Sequence, residues 1–193
     1  MNKTLPDLDQ DNQLIDSFIK GETGAFEPLV KKYWGQVYYL CLRYLKNSES
    51  ASDITQETFI VAFSKIDTFI VGRSFRPWLL KIAANKSLKL LNQSRSRPTS
   101  ELIPDQPGNP DQDPENVLAA KQLLDDCLDK LEFEDQILFL LRHGLNLTYD
   151  EMAMILDKPI GSVKGELFRA RKILKDSLGS HSGMGEYSVR KGG

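Results

Sequence analysis

Residues 136–175 read QILFLLRHGLNLTYDEMAMILDKPIGSVKGELFRARKILK, and this stretch decides the fold of the C-terminal part of the chain. Thr148 stands before an apolar helical pattern and Glu151 follows three residues later, which predicts a capping box at a helix start. Asp157-Lys158-Pro159 ends that helix, because proline disfavours helical geometry at the residue before it. Two short helices joined by a tight turn predict a helix-turn-helix, a motif that reads DNA.

The second helix of this motif restarts at Gly161 or Ser162 and carries two faces. One face is apolar at helical spacing: Val163, Leu167, Ala170 and Leu174. Another face places an aromatic ring between cations: Lys164, Phe168, Arg171 and Lys175, with Arg169 and Lys172 beside them. A groove-facing helix needs charge for phosphates and a flat apolar edge for a base or sugar, so this face is predicted to meet DNA. A solvated basic helix in an ordinary bundle is the alternative interpretation.

The rest of the chain divides into zones. Residues 13–95 repeat apolar side chains at three-to-four spacing in four successive patterns, and residues 117–178 form a second helical zone. No strand-like alternation persists, so we predict an all-α fold with two small helical domains joined by a linker. The linker is the proline-rich, acidic segment 96–116. Residues 1–12 and 179–193 are predicted to be flexible.

The net charge of −2 hides a strong segregation of charge along the chain. Residues 73–97 contain seven basic side chains and no acidic one, whereas residues 101–135 contain eleven acidic side chains and two lysines. This pattern predicts one surface for a polyanion and another that repels it or serves a different partner.

Two cysteines, Cys41 and Cys127, lie far apart in apolar helical patterns and outside any metal-ligand spacing. We predict buried structural thiols, with a redox pair as the alternative left open. There is no apolar signal core and no run of about twenty apolar residues that would span a bilayer. The sequence therefore predicts a cytoplasmic protein without membrane insertion, and nothing in it calls for a cofactor or metal.

Four motifs together resemble the bacterial RNA polymerase sigma factors of the extracytoplasmic-function (ECF) group. They are AFEPLVKKYWGQVYYLCLRYL (25–45), DITQETFIVAF (53–63), FRPWLLKIAAN (75–85) and LTYDEMAMILDKPIGSVKGELFRARKIL (147–174). The resemblance implies a non-catalytic subunit that binds core RNA polymerase, reads −35 and −10 promoter elements and helps open the DNA. The partners it implies are the clamp coiled coil and flap of core polymerase, promoter DNA and an anti-sigma factor.

An acidic face on the third helix is the candidate polymerase contact. Asp53, Gln56 and Glu57 share one face of this helix, and Phe59 lies close by. A solvated acidic face is the alternative interpretation. In the sigma factors that the chain resembles, the matching helix docks on the clamp coiled coil, so the resemblance implies that role for these four residues.

The segment around the start of the fourth helix, placed near Pro77, mixes aromatic and basic side chains. Aromatic rings beside cations suit single-stranded DNA, because a ring stacks on an unpaired base. Phe75 and Trp78 are also typical of packing at a helix start, which makes Phe69 and the loop 70–74 the better DNA candidates. The resemblance assigns the −10 element to this segment and to the helix that follows. The predicted contacts are Phe69, Arg73, Phe75, Arg76, Trp78, Lys81, Asn85, Lys86, Lys89, Arg95 and Arg97.

The resemblance also assigns the −35 element to the second helix of the helix-turn-helix. The predicted contacts are Ser162, Lys164, Gly165, Glu166, Phe168, Arg169, Arg171 and Lys172. Gly165 stands where similar proteins carry a small hydroxyl residue, and Glu166 stands where they commonly carry arginine. A carboxylate there repels phosphate but accepts a hydrogen bond from a cytosine amino group, so Glu166 is a candidate base reader.

Two other functional classes fit the sequence less well. A stand-alone helix-turn-helix regulator needs a dimer interface to read paired half-sites, and no heptad seam is present in the sequence. A metal-dependent hydrolase using Asp53 and Glu57 lacks a further cluster of His, Asp or Glu to complete its site. The sigma-factor interpretation alone accounts for the aromatic and basic segment that precedes the fourth helix.

Overall fold

A computed structural model of the chain describes residues 5–93, 128 and 130–182. Every regular element in these ranges is helical, in agreement with the predicted all-α class. The chain splits into two compact units, one holding the helices within residues 5–93 and the other most of those within residues 128–182. The predicted linker 96–116 and three residues that the sequence singled out, Arg95, Arg97 and Cys127, lie outside the described residues.

Within residues 5–93, the N-terminal unit contains four α-helices and two short 3-10 turns. The helices are α1 (Leu5–Ile19), α2 (Glu27–Leu45), α3 (Ser48–Ser64) and α4 (Phe75–Gln93), and the 3-10 turns are Thr23–Phe26 and Ile66–Thr68. A left-handed residue, Lys46 at φ 49°, ends α2. The next residue, Asn47, starts α3 by accepting a hydrogen bond from the Ser50 amide at 2.7 Å. The polar residues between α2 and α3 therefore end one helix and cap the next.

Helices α2, α3 and α4 pack against one another and form the core of this unit. The largest fully buried side chains include Leu29, Leu40, Leu79 and Leu80. Cys41 is also fully buried as a free thiol, and burial raises the pKa of that thiol above its ordinary value. The predicted structural role is confirmed for Cys41, because a buried thiol with a raised pKa forms little reactive thiolate.

The first helix corrects the prediction of a flexible segment over residues 1–12, because α1 already begins at Leu5. Asp11 is only 4% exposed, and its carboxylate accepts hydrogen bonds from the Tyr33 hydroxyl and, at 2.7 Å, from the Lys32 ammonium group. Ile15, one turn later, is fully buried. The polar composition of residues 1–12 gave no sign of this helix. The Asp11 carboxylate can be buried only because α2 supplies hydrogen-bond donors to it.

In the described residues 130–182, the C-terminal part contains three α-helices and a π-helical turn. They are α5 (Phe133–Phe139), the π-helical turn Leu140–Gly144, α6 (Tyr149–Leu156) and α7 (Ile160–Ser182). In the π-helical turn the Leu145 amide donates to the Leu140 carbonyl at 3.0 Å. The guanidinium of Arg142 closes the connection to α6 by donating to the Leu147 carbonyl at 2.7 Å. Helix α7 packs against α5, where Ala170 and Leu174 share a core with Leu131.

The predicted helix-turn-helix is present as α6 and α7. The Thr148 amide donates to the Glu151 carboxylate at 2.8 Å, and the Glu151 amide donates to the Thr148 hydroxyl at 3.3 Å, so the capping box forms as expected. Asp157, at φ 57°, turns the chain after α6. Helix α7 begins at Ile160, one residue before the predicted start, and continues to Ser182, past the predicted end of the domain at residue 178.

Candidate nucleic-acid interface

The outward face of α7 is the face that the helical spacing predicted. The whole apolar stripe is buried: Val163, Leu167, Ala170 and Leu174. The hydroxyl, basic and aromatic residues on the opposite side are exposed: Ser162, Lys164, Phe168, Arg169, Arg171, Lys172 and Lys175. Phe168 keeps 70% of its surface exposed in the middle of these cations. A flat apolar edge surrounded by positive charge matches the sugar, base and phosphate surface of a DNA groove.

Lys164 is held in place by an aromatic ring that the sequence analysis did not single out. Tyr149, the first residue of α6, has the Lys164 Nζ atom 5.6 Å and the Arg142 Cζ atom 5.2 Å from its ring centroid. Each cation–π contact at an exposed site contributes about 0.5–1 kcal/mol. The ring therefore orients a cation of α7 from the helix before it. The only sequence signal was an aromatic residue next to the Thr148 cap.

Glu166 forms an ion pair within the C-terminal unit. Its side chain is largely buried, and Lys158 in the turn of the motif reaches its carboxylate at 3.0 Å. The same ammonium group contacts the Glu134 carboxylate of α5 at 2.8 Å, and hydrogen bonds to these two carboxylates raise the pKa of Lys158. Lys158 thus links α7, through Glu166, to α5, through Glu134. The hydrogen bond from Glu166 to a cytosine amino group stays a prediction that competes with this ion pair.

Gly165 lies beside Glu166, on the edge of the exposed face. A Cβ atom built there would meet only the Arg169 guanidinium, at 3.8 Å, which is an ordinary van der Waals distance. A side chain would therefore fit at this position. The glycine leaves the backbone of α7 open to close approach by a groove wall.

The aromatic residues of the predicted −10 segment form a buried cluster. Phe75 is 0% and Phe69 is 6% exposed, and their ring centroids lie 5.6 Å apart. Trp78 completes the cluster at 5.5 Å from Phe69 and 5.6 Å from Phe75. Direct stacking of Phe69 or Phe75 on a base is therefore not supported, because both rings are used in packing. The two edge-to-face pairs, Phe69–Phe75 and Phe69–Trp78, contribute about 0.5–1.5 kcal/mol each beyond the burial of their surface.

The loop between these two buried rings, residues 70–74, is exposed at every position. Ile70 and Val71 expose more of their surface than aliphatic side chains usually do, and Arg73 is exposed beside them. Gly72 has φ 93°, a conformation that favours glycine, and the Arg73 amide donates to the Ile70 carbonyl at 3.1 Å across the turn. The loop thus presents an apolar tip and a guanidinium group to solvent.

The polar residues of α4 differ in how freely they face solvent. Asn85 and Lys89, one turn apart, are exposed, and Lys81 and Trp78 are partly buried. Arg76 donates from Nε to the Gln36 side chain at 2.6 Å. Asn85 and Lys89 are thus the predicted −10 residues on α4 that are most accessible to a phosphate backbone.

The acidic face on α3 is exposed at all three predicted polar positions, Asp53, Gln56 and Glu57. Glu57 also accepts a hydrogen bond from Lys86 of α4 at 2.7 Å. Phe59 does not belong to this face: it is buried and stacks on Trp34, with centroids 5.7 Å apart and planes 7° from parallel.

The apolar member of this face is Ile60, which is 66% exposed. The sequence analysis missed it, although it follows Asp53, Gln56 and Glu57 at seven-, four- and three-residue spacing, which places it on the same side of the helix. An exposed aliphatic side chain next to acidic groups is suited to a protein partner with basic and apolar side chains.

Within 5–93 and 130–182, no group of three or more His, Cys, Asp and Glu side chains is arranged to hold a metal ion. No helix in the same ranges is long and apolar enough to cross a membrane.

Comparisons with known proteins place both units in one family. Sigma-70 region 2 matches residues 29–97, and sigma-70 region 4 matches residues 121–174. The ECF RNA polymerase sigma-E factor of Haemophilus influenzae is 29% identical over 180 residues, covering 87% of this chain and 95% of the relative. The sigma-E factor of Escherichia coli K12 is also 29% identical over 180 residues, covering 87% of this chain and 94% of that relative.

Two solved structures share the fold. CnrH, solved in complex with the cytosolic domain of CnrY, aligns with a TM-score of 0.67 at 23% identity and covers 89% of this chain and 98% of that chain. The sigma factor RpoE of Bartonella quintana, solved with the anti-sigma factor NepR, aligns with a TM-score of 0.64 at 21% identity and covers 80% of this chain and 97% of that chain. With region 2 and region 4 matched in order along the chain, the protein belongs to the sigma-70 family of RNA polymerase sigma factors, in its ECF group.

Proposed function

We propose that the protein directs promoter-specific transcription initiation by binding core RNA polymerase and reading −35 and −10 elements. The observation that carries this proposal is the outward face of α7, where Phe168 stands exposed among cations on the second helix of a capped helix-turn-helix. The protein acts as an initiation factor and performs no catalysis of its own. Its place of action is the cytoplasm, where a bacterium keeps its DNA and polymerase.

The C-terminal unit reads duplex DNA at the −35 element. Helix α7 enters the major groove, with Lys164, Phe168 and Arg169 towards base edges and sugars, and Arg171 and Lys172 towards phosphates. Phosphate contacts release bound cations from DNA, so the affinity of this unit falls steeply as salt rises. Base contacts by α7 supply the discrimination between sequences.

The N-terminal unit takes the −10 element after its strands separate. The exposed loop 70–74 offers apolar surface to an unstacked base, and Arg73 offers charge to the neighbouring phosphate. Asn85 and Lys89 on α4 hold the backbone of the same strand. The aromatic cluster of Phe69, Phe75 and Trp78 packs beneath this loop, and its buried members, Phe69 and Phe75, do not stack on bases.

Core polymerase binds the acidic face of α3. Asp53, Gln56 and Glu57 supply hydrogen-bond acceptors and negative charge for a basic coiled coil, and Ile60 adds apolar contact at the same face. Polymerase then holds both DNA-reading units next to one promoter. Two modest affinities combine into a high one because the second contact becomes intramolecular.

An anti-sigma factor is the proposed regulatory partner. The similar RpoE was solved with the anti-sigma factor NepR, and CnrH was solved with the cytosolic domain of CnrY. By analogy, such a partner covers the DNA-reading and polymerase-binding faces of this protein until its release.

The test is transcription by core RNA polymerase on a fragmented genomic DNA pool, with and without the purified protein. New start sites that share paired −35 and −10 sequences are expected only when the protein is present. Phe168→Ala should weaken this selection, and Ile173→Ala is the matched control, because Ile173 is also an exposed apolar residue of α7 but lies about 140° around the helix from Phe168. Specific DNA retention without polymerase binding would instead indicate a stand-alone regulator.

A further inference from the structure

A side chain near the N-terminus contacts the middle of the exposed loop 70–74. The Asn12 Oδ1 atom of α1 accepts a hydrogen bond from the Gly72 amide at 2.9 Å, across a separation of sixty residues. Gly72 is the residue at φ 93° that gives the loop its turn. The bond therefore fixes the loop at the point where its backbone changes direction.

Asn12 is presented by a well-anchored part of α1. The preceding residue, Asp11, is buried against α2 and accepts hydrogen bonds from Tyr33 and Lys32. Ile15, one turn later on the same helix, is fully buried. The position of Asn12 is thus set by the core on both sides, so its amide group is a fixed reference point for the loop.

The two ends of the loop are tied to the same core. Phe69 and Phe75 flank the loop, are buried and contact each other. The Tyr33 ring packs on Phe75, with centroids 5.8 Å apart, while the Tyr33 hydroxyl donates to Asp11. The same packed core therefore holds the whole loop: the aromatic rings fix its two ends, and Asn12 fixes its middle.

We propose that Asn12 is a positioning residue for capture of the displaced −10 strand. By holding the Gly72 amide, it keeps Ile70, Val71 and Arg73 in one arrangement before DNA arrives, so less conformational entropy is lost when a base is captured. This role rests on the proposed function. In this role Asn12 contacts no DNA. Helix α1 contributes to promoter opening by holding the loop in place.

The first measurement is hydrogen exchange at the Gly72 amide in the purified protein. Asn12→Ala removes the acceptor and is expected to speed exchange in the loop about three- to tenfold, since a single neutral hydrogen bond of modest net strength is lost. Asn12→Asp keeps an acceptor oxygen in place and should keep the amide protected. Gln13→Ala, at the exposed neighbouring position, is the matched control and should exchange like the wild type.

The second measurement follows strand opening with core polymerase. The probe is a duplex copied from the strongest start site that the protein selects from the genomic pool, with 2-aminopurine in its −10 element. Asn12→Ala is expected to lower the rate of fluorescence increase about three- to tenfold, while binding of a short −35 duplex and the midpoint of thermal unfolding stay at wild-type values. A merely structural role would change the unfolding midpoint together with the opening rate.

The outcomes separate the inference from the function on which it rests. If the wild type with polymerase fails to open any promoter, the proposed function fails and the positioning role fails with it. If the wild type opens the promoter and Asn12→Ala opens it equally fast despite faster exchange at Gly72, the positioning role alone is overturned. Slower opening by Asn12→Ala, with wild-type behaviour of Gln13→Ala, supports it.

Discussion

Two segments of the molecule place aromatic residues next to cations, and they use them in opposite ways. On α7, Phe168 lies between Lys164 and Arg171 at helical spacing and is exposed. Around the loop 70–74, Phe69 and Phe75 lie beside Arg73 and are buried. The same composition thus produces a solvent-facing ring in one unit and a packing cluster in the other.

The difference comes from how each backbone fixes direction. In a helix, residues three and four apart share a face, so the burial of Val163 and Leu167 already determines that Phe168 points outward. Phe69 lies in the connection before α4, where no such period acts, and it turns inward because it finds aromatic neighbours and burial of an apolar ring is favourable wherever partners exist. Phe75, the first residue of α4, lies one turn before Leu79 on the buried face of that helix. The direction of a ring beside cations is therefore set by local spacing inside a helix and by tertiary partners in a connection.

The largest expected effect is on stability, through Phe75→Ala in the N-terminal unit. Removal of a fully buried ring is expected to lower the free energy of unfolding by about 3–5 kcal/mol, because a cavity forms where four other rings meet. Phe168→Ala should change it by less than about 0.5 kcal/mol. Urea unfolding followed by circular dichroism measures both. Equal losses for the two variants would contradict the opposite roles of the two rings.

The second effect is on DNA binding, and here substitution of Phe168 should matter more than substitution of Phe75. Phe168→Ala is expected to reduce the preference for a −35 duplex over a random duplex about tenfold, since one specific groove contact contributes about 1–3 kcal/mol of discrimination. Competition binding at fixed salt measures this preference, with Ile173→Ala as control. An unchanged preference would remove Phe168 from the reading face.

A smaller effect is expected at the ion pair inside the helix-turn-helix. Lys158→Ala and Glu166→Ala should each lower stability, and the double variant should lose less than their sum, with a coupling of about 1 kcal/mol. Because Glu166 is committed to Lys158, Glu166→Gln should leave the preferred −35 sequence unchanged. A new preference at one base position would restore Glu166 as a base reader.

The smallest effect concerns pH and belongs to the C-terminal unit, since both histidines of the chain follow residue 142. The pKa of His143 is lowered, first by burial and then by the nearby cations Arg171 and Arg142. Well above the ordinary pKa of 6.5, the His143 ring is neutral in both the folded and the unfolded state, so it contributes no pH dependence to stability. As pH falls below 6.5 the unfolded chain takes up the proton first, and stability is lost.

His143→Gln should therefore remove part of the stability loss between pH 7.5 and pH 5.5, while leaving stability at pH 7.5 nearly unchanged. Urea unfolding of the wild type and the variant at both pH values measures the difference. A parallel loss in the two proteins would mean that His143 does not contribute to the acid response.

The candidate site was predicted best where local rules act alone. The capping box of Thr148 and Glu151, the exposed face around Phe168 and the acidic face of α3 follow from spacing along single helices. Phe59 was misplaced because a ring one position away from an exposed face still reaches a neighbouring helix, where Trp34 stacks on it. Each error involves a partner that is distant in sequence.

The all-α class and the helix-turn-helix with its outward face followed from the sequence, because helix periods and caps are short-range properties. The family followed from the resemblance of four motifs. Tertiary packing was needed to show that Glu166 pairs with Lys158, that Phe69 is buried and that Asn12 holds Gly72. The Asn12–Gly72 bond joins residues sixty positions apart, and Asp11 is buried only where Tyr33 supplies a donor. Such pairings depend on which helices pack together, which no local pattern in the sequence specifies.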